Sequence, residues 1–300
     1  MKIDHVENLY RPKAQTILLF KRCYALEKIH GTASGLLFTP LTNTISFQSG
    51  GESHERFVSL FNQEQLLQSF KDLSISNDKT VKIFGESYAG KQQGMSHTYG
   101  PTLKFIVFDV QIGDNFLSVP DAEQVAKKLG LEFVHYVEVS TDLKELDAQR
   151  DAPSIQAVRN GVSTQENFIA GKGPKREGIV LRPLVEMTTN DNQRVICKHK
   201  GNDFKETATP RAVVDPTQLK VLNDANAVAN EWVVNERLLH VLDKLPGHCM
   251  EKMRDIIMAM QEDVHREGKG EIIWSEAVAK AISKKTVEMY KAFLKSQIKT

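Results

Sequence analysis

Cysteine is scarce in this sequence. Cys23, Cys197 and Cys249 are the only three among 300 residues, and no two stand in a CxxC spacing. An odd, scattered set excludes a disulfide framework and a cysteine-rich zinc site, and it suits a reducing cytosol. Net charge is almost absent too: 39 Lys and Arg against 38 Asp and Glu leave a formal +1. No bulk positive field therefore argues for nucleic acid, although a neutral total is compatible with a local basic groove. No apolar run approaches the roughly 18 residues that a membrane-crossing helix needs. The opening "MKIDHVENLYRPK" is polar and reads as no signal peptide. Internal repeats and low-complexity segments are missing, and His240, His248 and His265 show no metal-ligand spacing.

What is present suits a globular chain with room for one large domain or two modest ones. Hydrophobic residues make up 41% and charged residues 26%, which places the chain in the ordinary globular class. The first two thirds mix strands and helices. Strands are expected at 16–20, 36–38, 44–47, 81–84, 103–110, 132–139, 178–182 and 194–199. Phe57, Leu60, Phe61, Leu67 and Phe70 recur at helical spacing, so "ERFVSLFNQEQLLQSF" reads as one amphipathic helix. "VPDAEQVAKKLG" reads as a helix with Pro120, a capping Asp121 and a terminating Gly130. "STDLKELDAQRD" and "SIQAVRNG" read as short helices, the second ended by Gly161. "TATPRAVVDPTQ", 207–218, reads as a linker. Beyond it helices are expected at 218–228, 231–245, 249–266, 275–282 and 284–298, with breaks at "PG" and "GKGE". The division is a mixed domain, 1–212, and a small all-helical domain, 213–300. Trp232 and Trp274 read as core.

The stretch "YALEKIHGTASGLLF" poses the chemical question. Lys28 lies between two apolar flanks, "QTILLF" and "SGLLF", with His30 and Gly31 just after it. Lysine is among the residues least often buried. Alone, Lys28-Ile29-His30-Gly31 reads as a solvated strand-end lysine before a turn glycine. Four further stretches follow in order: "VKIFGESYAG" with Glu86, "LKFIVFDV" with Phe108 and Asp109, "KREGIVLRP" with Glu177 and Gly178, and "VICKHKGNDFKE" with Lys198 and Lys200. Period-2 alternation points the last two ammonium groups to one face. Each stretch has an ordinary reading as a turn, a core strand or an edge strand. Their conjunction in this order is less ordinary.

Together the five resemble the motifs of the covalent nucleotidyltransferase superfamily, the ATP-dependent ligases and mRNA capping enzymes. His30 after the lysine, and the ending "KHKGNDFKE", resemble the phage-type RNA ligase 2 family. The resemblance spans about Tyr24 to Glu206. It implies an α+β fold: an ATP-grasp-like nucleotidyltransferase domain of antiparallel sheets with flanking helices, followed by a helical domain. It implies an ATP-dependent RNA ligase that seals 3′-OH and 5′-phosphate ends. Lys28 would be the nucleophile that becomes Lys-AMP. Nucleotide contacts would come from Glu27, Lys28, Ile29, Glu86, Phe108, Glu177, Lys198 and Lys200, with Mg²⁺, or Mn²⁺ in its place, held at Glu177 through water. The implied partner is RNA, as a nicked duplex or RNA/DNA hybrid ends, with no membrane. The implied location is the cytoplasm, that of a host if the chain is phage-encoded.

The chemistry agrees with those roles. The amine must be neutral when it attacks, whereas a free lysine has a pKa near 10.4; burial, neighbouring cations or a metal can lower it. The departing pyrophosphate needs cations. Phe108 can stack on a purine, which turns Phe105 to the core by strand alternation. Glu86 can accept from ribose hydroxyls, and hydrated Mg²⁺ prefers oxygen ligands. The match departs from the family after "HGT", where Ala33 replaces an asparagine. It departs again near "SFQSGGESHERF", where Gln48 and Ser49 occupy the place of an end-binding arginine; Arg56 is either a substitute or a solvated helix residue. These departures bear on recognition of the phosphorylated end more than on the first step. The family's helical tail helps recognise the 3′-OH strand, and the charged residues of 279–299 read either as phosphate contacts or as a solvated face. A DNA ligase and a non-catalytic nucleotide- or RNA-binding module remain as alternatives. The His30 slot and helical tail oppose the first, and the intact Lys28, Glu177, Lys198 and Lys200 oppose the second.

Overall fold

A computed structural model describes residues 5–73, 75–76, 78–213, 221–245 and 247–298. It divides into two compact units, Met1–Gly201 and Asn202–Thr300. The expected boundary at 212/213 falls later than this division. Arg237 donates to the Glu206 carbonyl and the Ala208 amide donates to the Glu231 carbonyl, so the start of the expected linker is tied to the helical unit. Residues 214–220, the rest of that linker and the start of the helix expected at 218–228, lie outside the described residues.

The first unit holds two antiparallel sheets. One has the order β7-β1-β8-β9 and the other β3-β2-β4-β5-β6. The strands are β1 Arg22–Lys28, β2 Gly31–Thr39, β3 Thr44–Ser49, β4 Val81–Tyr88, β5 Lys104–Ile112, β6 Asn115–Phe116, β7 Tyr136–Ser140, β8 Gly178–Pro183 and β9 Cys197–Lys200. The strand expected at 16–20 is instead a 3-10 turn, Pro12–Leu19, opened by Pro12. Its two buried residues, Ala14 and Ile17, stand three apart, the period of that turn, while Leu19 is exposed. The strand before Lys28 is therefore β1, which sequence reading passed over. Glu27 and Lys28 close β1 in one sheet, and Gly31 opens β2 in the other.

The apolar helix expected over 55–70 is two helices, His54–Val58 and Gln63–Asp72. Each has its own cap: Ser53 accepts from the Arg56 amide and Asn62 from the Gln65 amide. Their aromatic rings cover the second sheet, with Phe70 stacked on Phe38 and Phe57 edge-on to Phe105. The cap of helix Val119–Lys128 is Ser118 rather than Asp121; the Ser118 hydroxyl accepts from the Asp121 amide and donates to its carboxylate at 2.6 Å. Asp109 on β5 and Arg182 on β8 join the two sheets at 3.0 Å, both buried. Arg194 holds the other Asp109 oxygen at 2.6 Å.

The second unit is helical: Ala225–Trp232, Asn235–Asp243, Met253–Glu267 and Glu276–Ile298. The last was expected as two helices, but no Gly or Pro interrupts it, and Ser283 and Thr286 bond back to the carbonyls of Ala279 and Ile282 within it. Trp232 and Tyr290 are fully buried at its centre among Leu238, Met260 and Ile282.

Candidate active site

Three strands put the central charges together. Gly178, the first residue of β8, pairs with Lys28 of β1 on one side and with Lys200 of β9 on the other. Cross-strand partners share a face, so the two lysines flank a position that has no side chain. Any other residue is excluded there: a Cβ on Gly178 would lie 2.2 Å from the His199 carbonyl oxygen, and its φ is +153°. Glu177 stands immediately before it and is almost fully buried. Lys28 Nζ donates to Glu177 Oε2 at 2.6 Å, and Lys200 Nζ lies 3.0 Å from Oε1.

Burial alone would raise the Glu177 pKa. The charges of Lys28, Lys200 and His30, with the Lys28 hydrogen bond, outweigh it and hold the carboxyl well below its ordinary value. Lys198 is half-buried on the same face of β9 as Lys200. Its backbone pairs with Glu7 and Leu9, which extend this sheet edge.

The crossing from β1 to β2 forms the next wall. Ile29 is buried. His30 Nδ1 lies 3.5 Å from Glu177 Oε2, its Nε2 is 3.4 Å from Gln93 Oε1, and its amide donates to the Tyr99 hydroxyl. Burial lowers the His30 pKa and the two lysines lower it further, against Glu177, so the neutral ring is favoured. Gly31 lets β2 approach β4: a Cβ there would meet the Ser87 carbonyl oxygen at 2.3 Å and Glu86 Cγ at 3.0 Å. Thr32 donates to Gln92, and Gln92 donates to Glu52, each at 2.8 Å. Those bonds anchor a turn in which Ala89 and Gln93 both have positive φ, a strained conformation for residues with a Cβ.

Glu86 is half-buried on β4, in register with Ala33 and Ile106. Ala33 is exposed beside it. Phe108 is half-buried and has no register partner, because β5 bulges between Val107 and Asp109. Strict alternation therefore does not relate Phe108 to Phe105, which packs on Phe57 and Phe61. Glu27 is buried, and its carboxylate accepts from Ser154 Oγ and from the Ile155 and Gln156 amides. Burial raises its pKa, against Arg176 and those hydrogen bonds.

Gln48 is exposed and Ser49 half-buried, with the Ser49 hydroxyl accepting from the Glu52 amide. Arg56 is 57% exposed and pairs with Glu52 at 3.2 Å. Sequence reading missed Gln92, Gln93, Tyr99, Ser154 and Arg176. The glycine-flanked "AGKQQG" was the one local signal for the glutamines; the rest are contacts distant in sequence. Among the described residues no group of three His, Cys, Asp or Glu stands ready to cage a metal ion. No helix among them is long and apolar enough to cross a membrane.

The sequence model of the RNA ligase family, described simply as RNA ligase, matches residues 21–200. No curated protein matches. Among solved structures the chain is similar to an RNA ligase of Naegleria gruberi. A mutant of it with ATP and Mn is 13% identical, TM-score 0.48, over 68% of this chain and 56% of that one. The same ligase with PPi is 14% identical, TM-score 0.49, over 68% and 57%. A mutant with AMP and Mn is 13% identical, TM-score 0.48, over 68% and 57%. The chain thus spans little more than half the length of those ligase chains.

Proposed function

The chain belongs to the RNA ligase family, and on that premise we propose an ATP-dependent RNA ligase that works through a lysyl-AMP at Lys28. The observation that carries the proposal is the meeting of Lys28 and Lys200 on the buried Glu177 carboxylate. A pure binding site has no need of an amine held at a strand end by its own buried carboxylate. Covalent nucleotidyl transfer needs both.

In the proposed first step the Lys28 ammonium parts from Glu177 and gives its proton to solvent water, and the freed lone pair attacks the α-phosphate of ATP. The bond to the β-phosphate breaks, and pyrophosphate leaves with the electron pair. Lys198 and Lys200, on one face of β9, offer their charges to the phosphates. Phe108 would stack on the adenine, Glu86 would accept from the ribose, and the backbone of Glu27 and Ile29 would border the base. AMP would then pass to an RNA 5′-phosphate, and a 3′-OH would displace it to close the strand. Nicked duplexes or RNA/DNA hybrid ends are the proposed substrates, and a reducing cytoplasm, which suits three free thiols, is the proposed location.

A resident Mg²⁺, or Mn²⁺, fits this donor set only as a hydrated ion, because one carboxylate is present where a caged ion needs several. Glu177 would hold it through water once phosphates draw off the lysines. When bound, such an ion supplies positive charge to the phosphates.

The test is ATP labelled on the α-phosphate with Mg²⁺, after clearing any bound AMP with pyrophosphate. Label should remain on the denatured chain and vanish in Lys28→Ala. An unlabelled original protein, or a labelled Lys28→Ala, refutes the mechanism. Nicks ending in ribose or deoxyribose then separate the classes: equal sealing of both marks a DNA ligase.

A further inference from the structure

The residues just before the two central charges form a second buried set behind them. Glu27 precedes Lys28 and Arg176 precedes Glu177; they are 2% and 3% exposed. Alternation along β1 turns the Glu27 side chain away from that of Lys28. Its carboxylate meets Ser154 Oγ at 2.5 Å, the Ile155 amide at 3.0 Å and the Gln156 amide at 3.3 Å. Arg176 donates through Nε and Nη2 to the Pro153 carbonyl at 3.2 and 3.0 Å. Both side chains thus converge on residues 153–156, where the helix Ile155–Arg159 begins.

We infer that Glu27 is a positioning residue for Lys28: its carboxylate pins the end of β1 to this loop and leaves only its backbone for the nucleotide. The inference rests on the lysyl-AMP reading. Lys28 is the last residue of β1, where a strand is least held by its ladder. Three donors from residues 154–156 hold the peptide next to it. Arg176 balances the buried charge from a strand-flanking position of its own. A nucleophile displaced by about 1 Å loses about 100-fold in rate while the ATP contacts stay in place.

The experiment is single-turnover self-labelling by the full chain, with Mg²⁺ and α-labelled ATP, over a range of ATP concentrations. Glu27→Ala should lower the rate at saturating ATP about 100-fold and move half-saturation by less than about 3-fold. Glu27→Gln, which still accepts from the two amides, should recover part of the rate. Ser154→Ala should lose about 10-fold, again at unchanged half-saturation. A near-original maximal rate with weakened half-saturation would make Glu27 a nucleotide contact and overturn the inference, as would unchanged kinetics in both Glu27→Ala and Ser154→Ala. If Glu27→Ala does not fold, Ser154→Ala decides alone. No label on the original protein overturns the lysyl-AMP reading and this inference with it. Label there, with unaffected variants, overturns this inference only.

Discussion

Glu177→Gln keeps the shape of the buried carboxylate and removes its charge. Glu177 is 3% exposed, while Lys28 and Lys200 are 24% and 14% exposed. Taking one partner from a buried ion pair costs about 3 to 5 kcal/mol, because the other charge stays behind. Both lysines keep some access to water, so the low end, about 3 kcal/mol at pH 7, is expected. Burial works to raise the Glu177 pKa, and Lys28, Lys200 and His30 together bring it far below its ordinary 4.5. A carboxyl depressed by folding contributes stability that is complete above its unfolded value and is lost as pH falls below it. The original protein should therefore descend toward the variant as pH drops below about 4.5, and the gap between them should close. Urea unfolding followed by far-UV circular dichroism, at pH 7 and in steps downward, measures this. Both tryptophans, Trp232 and Trp274, belong to the helical unit, so their fluorescence follows that unit separately. A gap under about 1 kcal/mol at pH 7, below what a buried pair requires, would refute the reasoning. So would a gap that widens on acidification.

Gly178→Ala places a Cβ against the His199 carbonyl and 2.8 Å from Lys200 Cα; self-labelling should fall by at least about 100-fold, read by the same labelling assay. Lys28→Arg keeps a cation but no amine that can deprotonate, so equilibrium binding should retain ATP affinity within about 3-fold while label is absent. Asp109→Asn takes from the buried Arg182 one of its two carboxylate partners and leaves Glu186, so a loss of about 1 to 3 kcal/mol is expected in urea unfolding, with recovery when Arg182→Leu accompanies Asp109→Leu. Burial holds His30, His135 and His199 below 6.5, His135 at about 4. Bases depressed by folding make the unfolded chain bind more protons, so melting temperature should drop as pH falls from 6.5 toward 4, and less steeply in His135→Gln.

The strands around the site were legible because each carries or adjoins a chemically distinctive residue. The resemblance carried by Lys28, Glu86, Phe108, Glu177 and the Lys198 and Lys200 pair led to the family that the comparison gives for residues 21–200. Element boundaries were less legible. "QTILLF" is apolar enough for a strand, yet Pro12 and burial at every third residue make it a 3-10 turn. Asn62, which caps the second helix, breaks one apolar stripe into two helices, which periodicity alone does not show. The bulge at Phe108 defeats counting by twos. The supports of the site were hidden for a different reason. Ser154 lies 127 residues from Glu27, and Gln93 lies 63 from His30, so only folding makes them neighbours.

Two residues, Ile29 and His30, separate the end of β1 from the start of β2. A trans chain advances 3.8 Å per Cα step, so Lys28 and Gly31 can never stand more than about 11 Å apart. The sheets are thus tethered covalently beside Lys28. Along β8 the ion pair of Arg182 with Asp109 fastens them again, about 13 Å farther on. Of the two fastenings, only the ionic one can let go. The chain itself therefore keeps the two sheets together at Lys28, whatever becomes of that ion pair.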